Sequence, residues 1–167
     1  MTAAEPETVT FAGDGSIPNS ALPVLVYHGL ELASDPVAAE RAFTANGWRG
    51  AWRDGIYSFH HFHSTAHEVL AVVAGHAAVR LGGPEGGTFE VGRGDVLVLP
   101  AGTGHRNEGS SGDLLVVGAY PGGMSWDLRR GDPDEYDEVR ANIDAVPLPA
   151  TDPVGGAGGA LTRLWNA

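Results

Sequence analysis

The sequence has no cysteine, no lysine and no long hydrophobic run. Without cysteine there is neither a disulfide framework nor thiolate chemistry, which fits a cytoplasmic protein. Without lysine, Schiff-base catalysis and a Walker-type phosphate loop are excluded. No apolar stretch reaches the length of about 18 residues that a membrane span needs. The first residues also lack the basic and apolar parts of a secretory signal, so we expect a cytoplasmic protein.

Positive charge is also scarce. The chain carries 21 acidic against 10 basic residues, giving a formal net charge of −11. Proteins that bind nucleic acid or anionic membranes present basic surfaces to the phosphates. We therefore expect no nucleic-acid and no membrane partner, and we attribute the acidity to solubility.

A chain of 167 residues predicts one domain. Residues 1–20 are rich in Pro, Gly, Thr and Ala, and we interpret them as a flexible N-terminal arm before a single domain over residues 21–167. The apolar run Leu22–His28 predicts a strand. Asp35 as N-cap, followed by proline, predicts a helix that continues to Asn46.

From Gly55 onward the pattern becomes β-rich and glycine-punctuated, which favours an all-β sandwich or barrel with two or so peripheral helices. We place the barrel core at about residues 55–120. The C-terminal helix is predicted at about residues 133–145, with Asp132 as its N-cap. A loop then precedes a last strand at Leu161–Trp165. Within the core the predicted strands are Ile56–His63, Glu68–Ala74, His76–Leu81, Thr88–Val91, Asp95–Pro100 and Leu114–Tyr120.

Four residues in two segments have the chemistry of a metal site. His61 and His63, two apart on a predicted strand, project from one face, so their imidazoles can converge on one ion. Glu68 starts the next strand and can add a carboxylate, and His105 follows a Pro-x-Gly turn. Three nitrogens and one oxygen suit one divalent first-row metal: Fe is favoured, and Mn, Ni, Cu or Zn fit as well. Four protein ligands leave coordination positions open for a small molecule.

These segments resemble the paired motifs of the cupin superfamily. The first, G-x5-H-x-H-x4-E-x6-G, runs from Gly55 to Gly75, and the second, G-x5-P-x-G-x2-H, runs from Gly94 to His105. The asparagine that usually follows four residues later stands here two residues later, as Asn107. Residues 48–68 and 120–132 also resemble small single-domain bacterial cupins of the YjlB type. The resemblance implies a double-stranded β-helix (jelly roll), frequent dimers, and metal bound by the three histidines and the glutamate.

The ligand assignment has alternatives. His67 competes with Glu68, and because strand faces alternate, only one of the two neighbours can point inward. His61 and His63 could instead form a polar surface ladder, and His105 a core histidine.

Other residues near the motifs have two interpretations each. Tyr57 and Phe59 share the parity of His61 and His63, so they either line a pocket or fill the barrel. Asn107 is either an outer partner of the site or a turn residue. Trp126 and Asp127 follow the last predicted barrel strand and are candidates for the pocket rim. We treat the remaining histidines as non-ligands: His28, His60 and His76.

The fold hosts many chemistries, so function follows from the site. No separate nucleophile–base pair is visible in the sequence, which favours the metal as the reactive centre. We favour a dioxygenase-type non-haem oxidoreductase acting on a small molecule; the alternatives are a metal-dependent isomerase or lyase, and a non-catalytic small-ligand binding or sensing protein. We also expect a homodimer in which the strand at Leu22–His28 adds to the partner's sheet.

Overall fold

The computed structural model describes residues 5–166, in which two antiparallel sheets face each other. The larger sheet has six strands in the order β1-β2-β7-β4-β9-β3, and the smaller has three in the order β6-β5-β8. The nine strands are β1 (Glu7–Val9), β2 (Val24–Tyr27), β3 (Trp48–Asp54), β4 (Glu68–Ala74), β5 (His76–Leu81), β6 (Gly87–Gly92), β7 (Val96–Leu99), β8 (His105–Ser110) and β9 (Leu115–Pro121).

Three α-helices of the described residues lie outside the sheets: α1 (Pro36–Ala45), α2 (Tyr136–Ala145) and α3 (Ala160–Leu164). The Asp35 side chain accepts the Ala38 N–H, as an N-cap does, and Pro36 opens α1, as predicted. A 3-10 turn at Pro133–Glu135 leads into α2. Within residues 5–166, no helix is long and apolar enough to cross a bilayer.

The large sheet is covered on both faces, which explains why β4 is apolar at almost every position. Leu70 and Val72 on β4 face the small sheet and pack with Val79 and Leu81 of β5. The intervening residues of β4 face the other way, into a second cluster that contains Phe43 of α1. A continuous apolar run is therefore compatible with a strand when helices cover its outer side.

The all-β jelly-roll prediction is confirmed, and the bounds of β4 and β5 match the predicted ones. The predicted strand at Ile56–His63 is wrong, because this segment pairs through two isolated bridges, His61 with His105 and Phe62 with Arg129, and not as a regular strand. The strand lies earlier, as β3, with a register irregularity between Arg49 and Trp52. The barrel therefore begins before residue 55.

Two further differences concern short segments. Strand β8 is absent from the predicted strands. Its sequence is HRNEGS and its last three residues are exposed, so it lacks the apolar alternation that marks a strand. The predicted last strand at Leu161–Trp165 is wrong: this segment is mostly α3, whose Leu161 is buried against the outer face of the large sheet.

The N-terminal region also differs from the flexible arm that was expected over residues 1–20. Residues 1–4 of that arm lie outside the described residues. β1 pairs with β2, and Asn19 is buried. The Asn19 amide donates to the carbonyls of Ala12 and Gly82 and accepts the Gly104 N–H, so it ties this region to the barrel. β2 itself lies between β1 and β7 of its own sheet. The expectation that it adds to a partner's sheet is therefore wrong, because both of its edges are already paired.

Candidate metal centre

Three of the four predicted ligands converge at one end of the barrel. Glu68 is the first residue of β4, His105 the first of β8, and His63 precedes β4 in an extended segment; all three are buried. The Glu68 Oε1 atom lies 3.3 Å from His63 Nε2 and 3.4 Å from His105 Nε2. One ligand atom from each lies within 4.8 Å of the other two, a spacing that a single metal ion can bridge.

His61, the fourth predicted ligand, lies beside this group and outside it. Its ring centroid is 4.0 Å from that of His105 and 6.1 Å from that of His63. His61 is buried and lines the same cavity as the other three residues.

Backbone carbonyls orient all three histidine rings. His61 Nδ1 lies 2.9 Å from the Phe59 carbonyl, His105 Nδ1 lies 3.1 Å from the Thr103 carbonyl, and His63 Nδ1 bonds the Asp127 carbonyl. Because a carbonyl only accepts hydrogen bonds, each Nδ1 carries the proton and each neutral ring keeps its lone pair on Nε2. This is the tautomer that a metal-binding histidine needs, and the donor set fits a first-row divalent ion.

The electrostatics of the centre favour a positive partner. Burial alone would raise the pKa of Glu68, but its close contacts with His105 and His63 outweigh the burial and lower the pKa below its ordinary value. Burial alone would lower the pKa of His63, yet contact with the Glu68 carboxylate raises it. For His61, burial and then the neighbouring His105 lower the pKa to about 3. The cluster therefore combines an ionised carboxylate with a neutral imidazole, and either a proton on His63 or a metal cation can balance the charge.

His67 points away from the cavity. Its Nδ1 accepts the Ala101 N–H at 2.9 Å, its Nε2 donates to the Pro147 carbonyl at 3.1 Å, and its ring packs against Trp165. Burial lowers the pKa of His67 to about 4, only partly offset by the Pro147 contact. Since neighbouring residues alternate in direction, Glu68 faces the cavity and His67 does not.

The cavity above the cluster has a volume of about 500 Å³. Apart from the four predicted ligands and the charged pair Arg53 and Asp54, its walls are mainly aromatic and aliphatic side chains: Trp52, Ile56, Tyr57, Leu70, Tyr120 and Trp126. Tyr57 and Trp126 line the cavity and are half exposed at its mouth. Trp126 thus lies where a rim residue was expected, and Tyr57 lines the pocket instead of filling the barrel.

Two of the proposed pocket residues lie elsewhere. Phe59 stacks on Tyr57 at a centroid distance of 4.9 Å, with the Arg130 guanidinium over its ring, and does not line the cavity. Asn107 lies within β8, where its amide bonds the Ser110 hydroxyl and the Gly109 N–H, and it does not line the cavity. The remaining histidines, His28, His60 and His76, lie outside the cluster.

Two functional candidates escaped the sequence reasoning. The Trp52 indole donates its Nε1–H to the Tyr120 hydroxyl at 2.8 Å, and both side chains line the cavity. Burial, followed by the nearby Glu68 charge, raises the pKa of Tyr120, so the phenol keeps its proton. No sequence motif predicts the contact between Trp52 and Tyr120, because 68 residues separate them in the sequence.

Gly118 makes room for the Trp52 indole. The two residues are opposite each other in β9 and β3, and a Cβ at Gly118 would lie 2.2 Å from the Trp52 ring. We expect Gly118→Ala to displace the indole and to lower the free energy of unfolding by about 1–3 kcal/mol, as overpacking does. Urea denaturation measures the loss, and tryptophan fluorescence reports the displacement. Gly112→Ala is the control because no atom lies within 4 Å of the added Cβ; equal stability of the two variants would contradict the steric argument.

Asp127 secures the loop that holds His63. Its carboxylate accepts the N–H groups of Ser64 (2.6 Å) and Thr65 (3.3 Å) and pairs with Arg129 (2.7 Å). Its carbonyl accepts from His63 Nδ1. Asp127 therefore holds the loop at Ser64 and Thr65 and also orients the ring of His63. This is a larger role than the rim position predicted from the sequence.

We expect Asp127→Ala to leave the sheets folded and to weaken metal binding by about 10–100-fold, the usual loss when a partner that orients a ligand is removed. Competition with a chromophoric chelator measures this affinity. Asp137→Ala, an exposed substitution on α2, is the control. Unchanged affinity in Asp127→Ala would show that the loop holds His63 without the carboxylate.

Comparison with known proteins shows which family this architecture belongs to. The cupin family model (Cupin_1) matches residues 53–120, which include all four predicted ligands. YjlB of Bacillus subtilis (strain 168), an uncharacterized protein, is 39% identical over 162 residues, covering 96% of this chain and 97% of YjlB. The chain belongs to the cupin family. The resemblance to YjlB-type cupins inferred from the motifs is thereby confirmed.

Solved structures with a similar fold are more distant from this cupin. A predicted oxalate decarboxylase from Thermotoga maritima is 17% identical, with a TM-score of 0.37, covering 72% of this chain and 98% of that one. A Bacillus subtilis oxalate decarboxylase studied for its Mn(II) centres is 16% identical, with a TM-score of 0.40, covering 86% of this chain and 37% of that one. A DMSP lyase structure is 19% identical, with a TM-score of 0.39, covering 69% of this chain and 46% of that one.

Proposed function

We propose that this cupin is a mononuclear metalloenzyme that acts on a small molecule, with a dioxygenase-type oxidoreductase as the favoured reaction class. One observation carries the proposal: His63, Glu68 and His105 form a buried cluster at the base of a cavity. A buried carboxylate between two imidazoles is costly without a cation, and a cavity leading to it gives a ligand access.

We propose His61 as the fourth ligand, through its Nε2, because Nδ1 is already engaged with Phe59. Among first-row ions we favour iron, with manganese, nickel, copper and zinc as the other candidates. Such an ion, when bound, supplies a Lewis acid for a ligand's oxygen atoms and, if redox-active, electrons for O2. The protein's own contribution is to fix the imidazoles through carbonyl contacts and to keep Glu68 ionised within a largely apolar cavity.

Metal content is the first test of this proposal. Protein purified without added metal, or reconstituted with Fe(II), should retain about one ion per chain by elemental analysis, as a four-ligand site predicts. Failure to retain any first-row ion after reconstitution would contradict the metal centre itself.

Oxygen uptake by the Fe(II)-loaded protein is the second test. A panel of diketones, catechols and amino acids should include a compound that stimulates O2 consumption. A metal-loaded protein that consumes no O2 but converts a compound of the panel would be an isomerase or lyase. A protein that binds such a compound without converting it would be a ligand-binding cupin.

We further propose a cytoplasmic homodimer. With β2 paired inside its own sheet, the remaining strand edges of the large sheet are β1 and β3. Such open edges are candidates for pairing with a second copy. Light scattering should give twice the chain mass of 17.3 kDa, and a monomer mass would exclude the dimer.

A further inference from the structure

The cavity separates polar from apolar groups. Its buried polar groups gather at one end, around Glu68, while Leu70 and Ile56 line the wall and Tyr57 and Trp126 the mouth; the other charged lining residues are exposed. Trp126 stacks on Tyr120 at a centroid distance of 6.0 Å and an interplanar angle of 20°. Flat aromatic walls favour a flat apolar molecule, which gains both burial and stacking.

The cavity offers little positive charge to an anion. Among residues 5–166, Arg53 is the one arginine on the wall, and its Nε and Nη2 atoms bond both oxygens of Glu40, at 2.9 and 2.8 Å. The other charged wall residues are Glu68 and Asp54, both acidic. A phosphate or a dicarboxylate normally requires paired arginines or an equivalent set of donors. The cavity therefore disfavours phosphorylated and multiply anionic ligands.

One neutral donor stands at the polar end. The Tyr120 oxygen accepts the Trp52 Nε1–H at 2.8 Å, and an indole N–H only donates. The phenolic proton of Tyr120 therefore points away from Trp52, toward the Glu68 carboxylate, with which the hydroxyl interacts. An oxygen atom of a ligand at this end can accept this proton in place of Glu68.

Taking the proposed function as its basis, we infer that the cavity selects a small, flat, apolar molecule with oxygen atoms at one end, and that Tyr120 donates a hydrogen bond to one of them. The recognised class is that of aromatic diols and enolised diketones. Small dianions and phosphate esters fall outside it.

Catechol and oxalate form a matched pair of probes, because each presents two adjacent oxygens but only catechol has an apolar ring. We expect calorimetric titration of Zn(II)-loaded protein, in which a redox-inert ion prevents turnover, to show catechol binding about tenfold or more tighter than oxalate, from burial of the ring. Equal or tighter binding of oxalate would overturn the inference.

Tyr120→Phe tests the hydrogen bond. It should weaken catechol binding about three- to tenfold, the usual value of one neutral hydrogen bond, without changing metal content. Tyr136→Phe, on α2 and outside the cavity, should match the unsubstituted protein. Catechol affinity that is equal in the two variants would refute the role of Tyr120.

Titration of metal-free protein separates this inference from the proposed metal centre. The aromatic walls and the Tyr120 hydroxyl do not depend on an ion, so catechol should bind there more weakly but with the same response to Tyr120→Phe. If the protein retains no metal yet shows this pattern, the proposed function fails and the ligand class stands. If catechol does not bind in either form, the ligand class fails.

Discussion

His105→Ala should reduce metal affinity more than a hundredfold, beyond the loss of about 10–100-fold typical of residues that only orient a ligand. The substitution removes an imidazole whose Nε2 lies 3.4 Å from Glu68 Oε1. The backbone bonds between His61 and His105, at 3.2 and 2.9 Å, do not involve the ring. The variant should therefore fold normally. Elemental analysis after dialysis against a chelator measures retention, and circular dichroism checks the fold.

His76→Ala is the matched control for this substitution. His76, like His105, is the first residue of a strand, but it is exposed and lies away from the cluster. It should retain metal like the unsubstituted protein. Full retention by His105→Ala would show that the three buried residues form an ion pair and not a metal centre.

His61→Ala then decides the coordination number. If His61 is a ligand, its loss should weaken binding by at least as much as the substitution of Asp127, which acts only through His63. If the affinity is unchanged, the site has three protein ligands, the group that already lies within 4.8 Å. This comparison matters because His61 is the one predicted ligand that lies outside that group.

The sequence was informative where a residue's position depends on local geometry. Glu68 and His67 are neighbours in a strand, so the alternation of side chains required that one face inward and the other outward. The ring of His67 lies against Trp165, while Glu68 contacts His63 and His105. Strands β4 and β5 were predictable from another local feature. A turn glycine, Gly75, separates the two β-rich runs and adopts a φ of +71°.

Long-range contacts set the limits of that prediction. His61 and His63 face the cavity although their segment is no regular strand, because His61 bridges to His105. Asp127 meets Ser64 across 63 residues, and Trp52 meets Tyr120 across 68. Neither pair shows a periodicity, so only the fold reveals which carboxylate anchors the loop and which hydroxyl lines the cavity.

Asp152→Ala should have the largest effect on stability, about 3 kcal/mol or more, because it leaves several buried donors without an acceptor. The Asp152 carboxylate is fully buried and accepts from the N–H groups of Val154 (2.6 Å), Gly155 (3.1 Å) and Leu161 (3.0 Å), and from the Tyr27 hydroxyl. It thus attaches the segment before α3 to β2. Urea denaturation measures the loss, with Asp144→Ala, exposed at the end of α2, as control.

Tyr27→Phe completes this test through a double-mutant cycle. It removes one of the four donors to Asp152 and leaves the carboxylate bound by the other three, so it should cost about 1 kcal/mol. In the Asp152→Ala background the tyrosine hydroxyl has already lost its acceptor, so its removal should cost little or nothing further. Additive losses would mean that Tyr27 stabilises the fold by packing alone, and a small loss in Asp152→Ala would mean that water replaces the carboxylate.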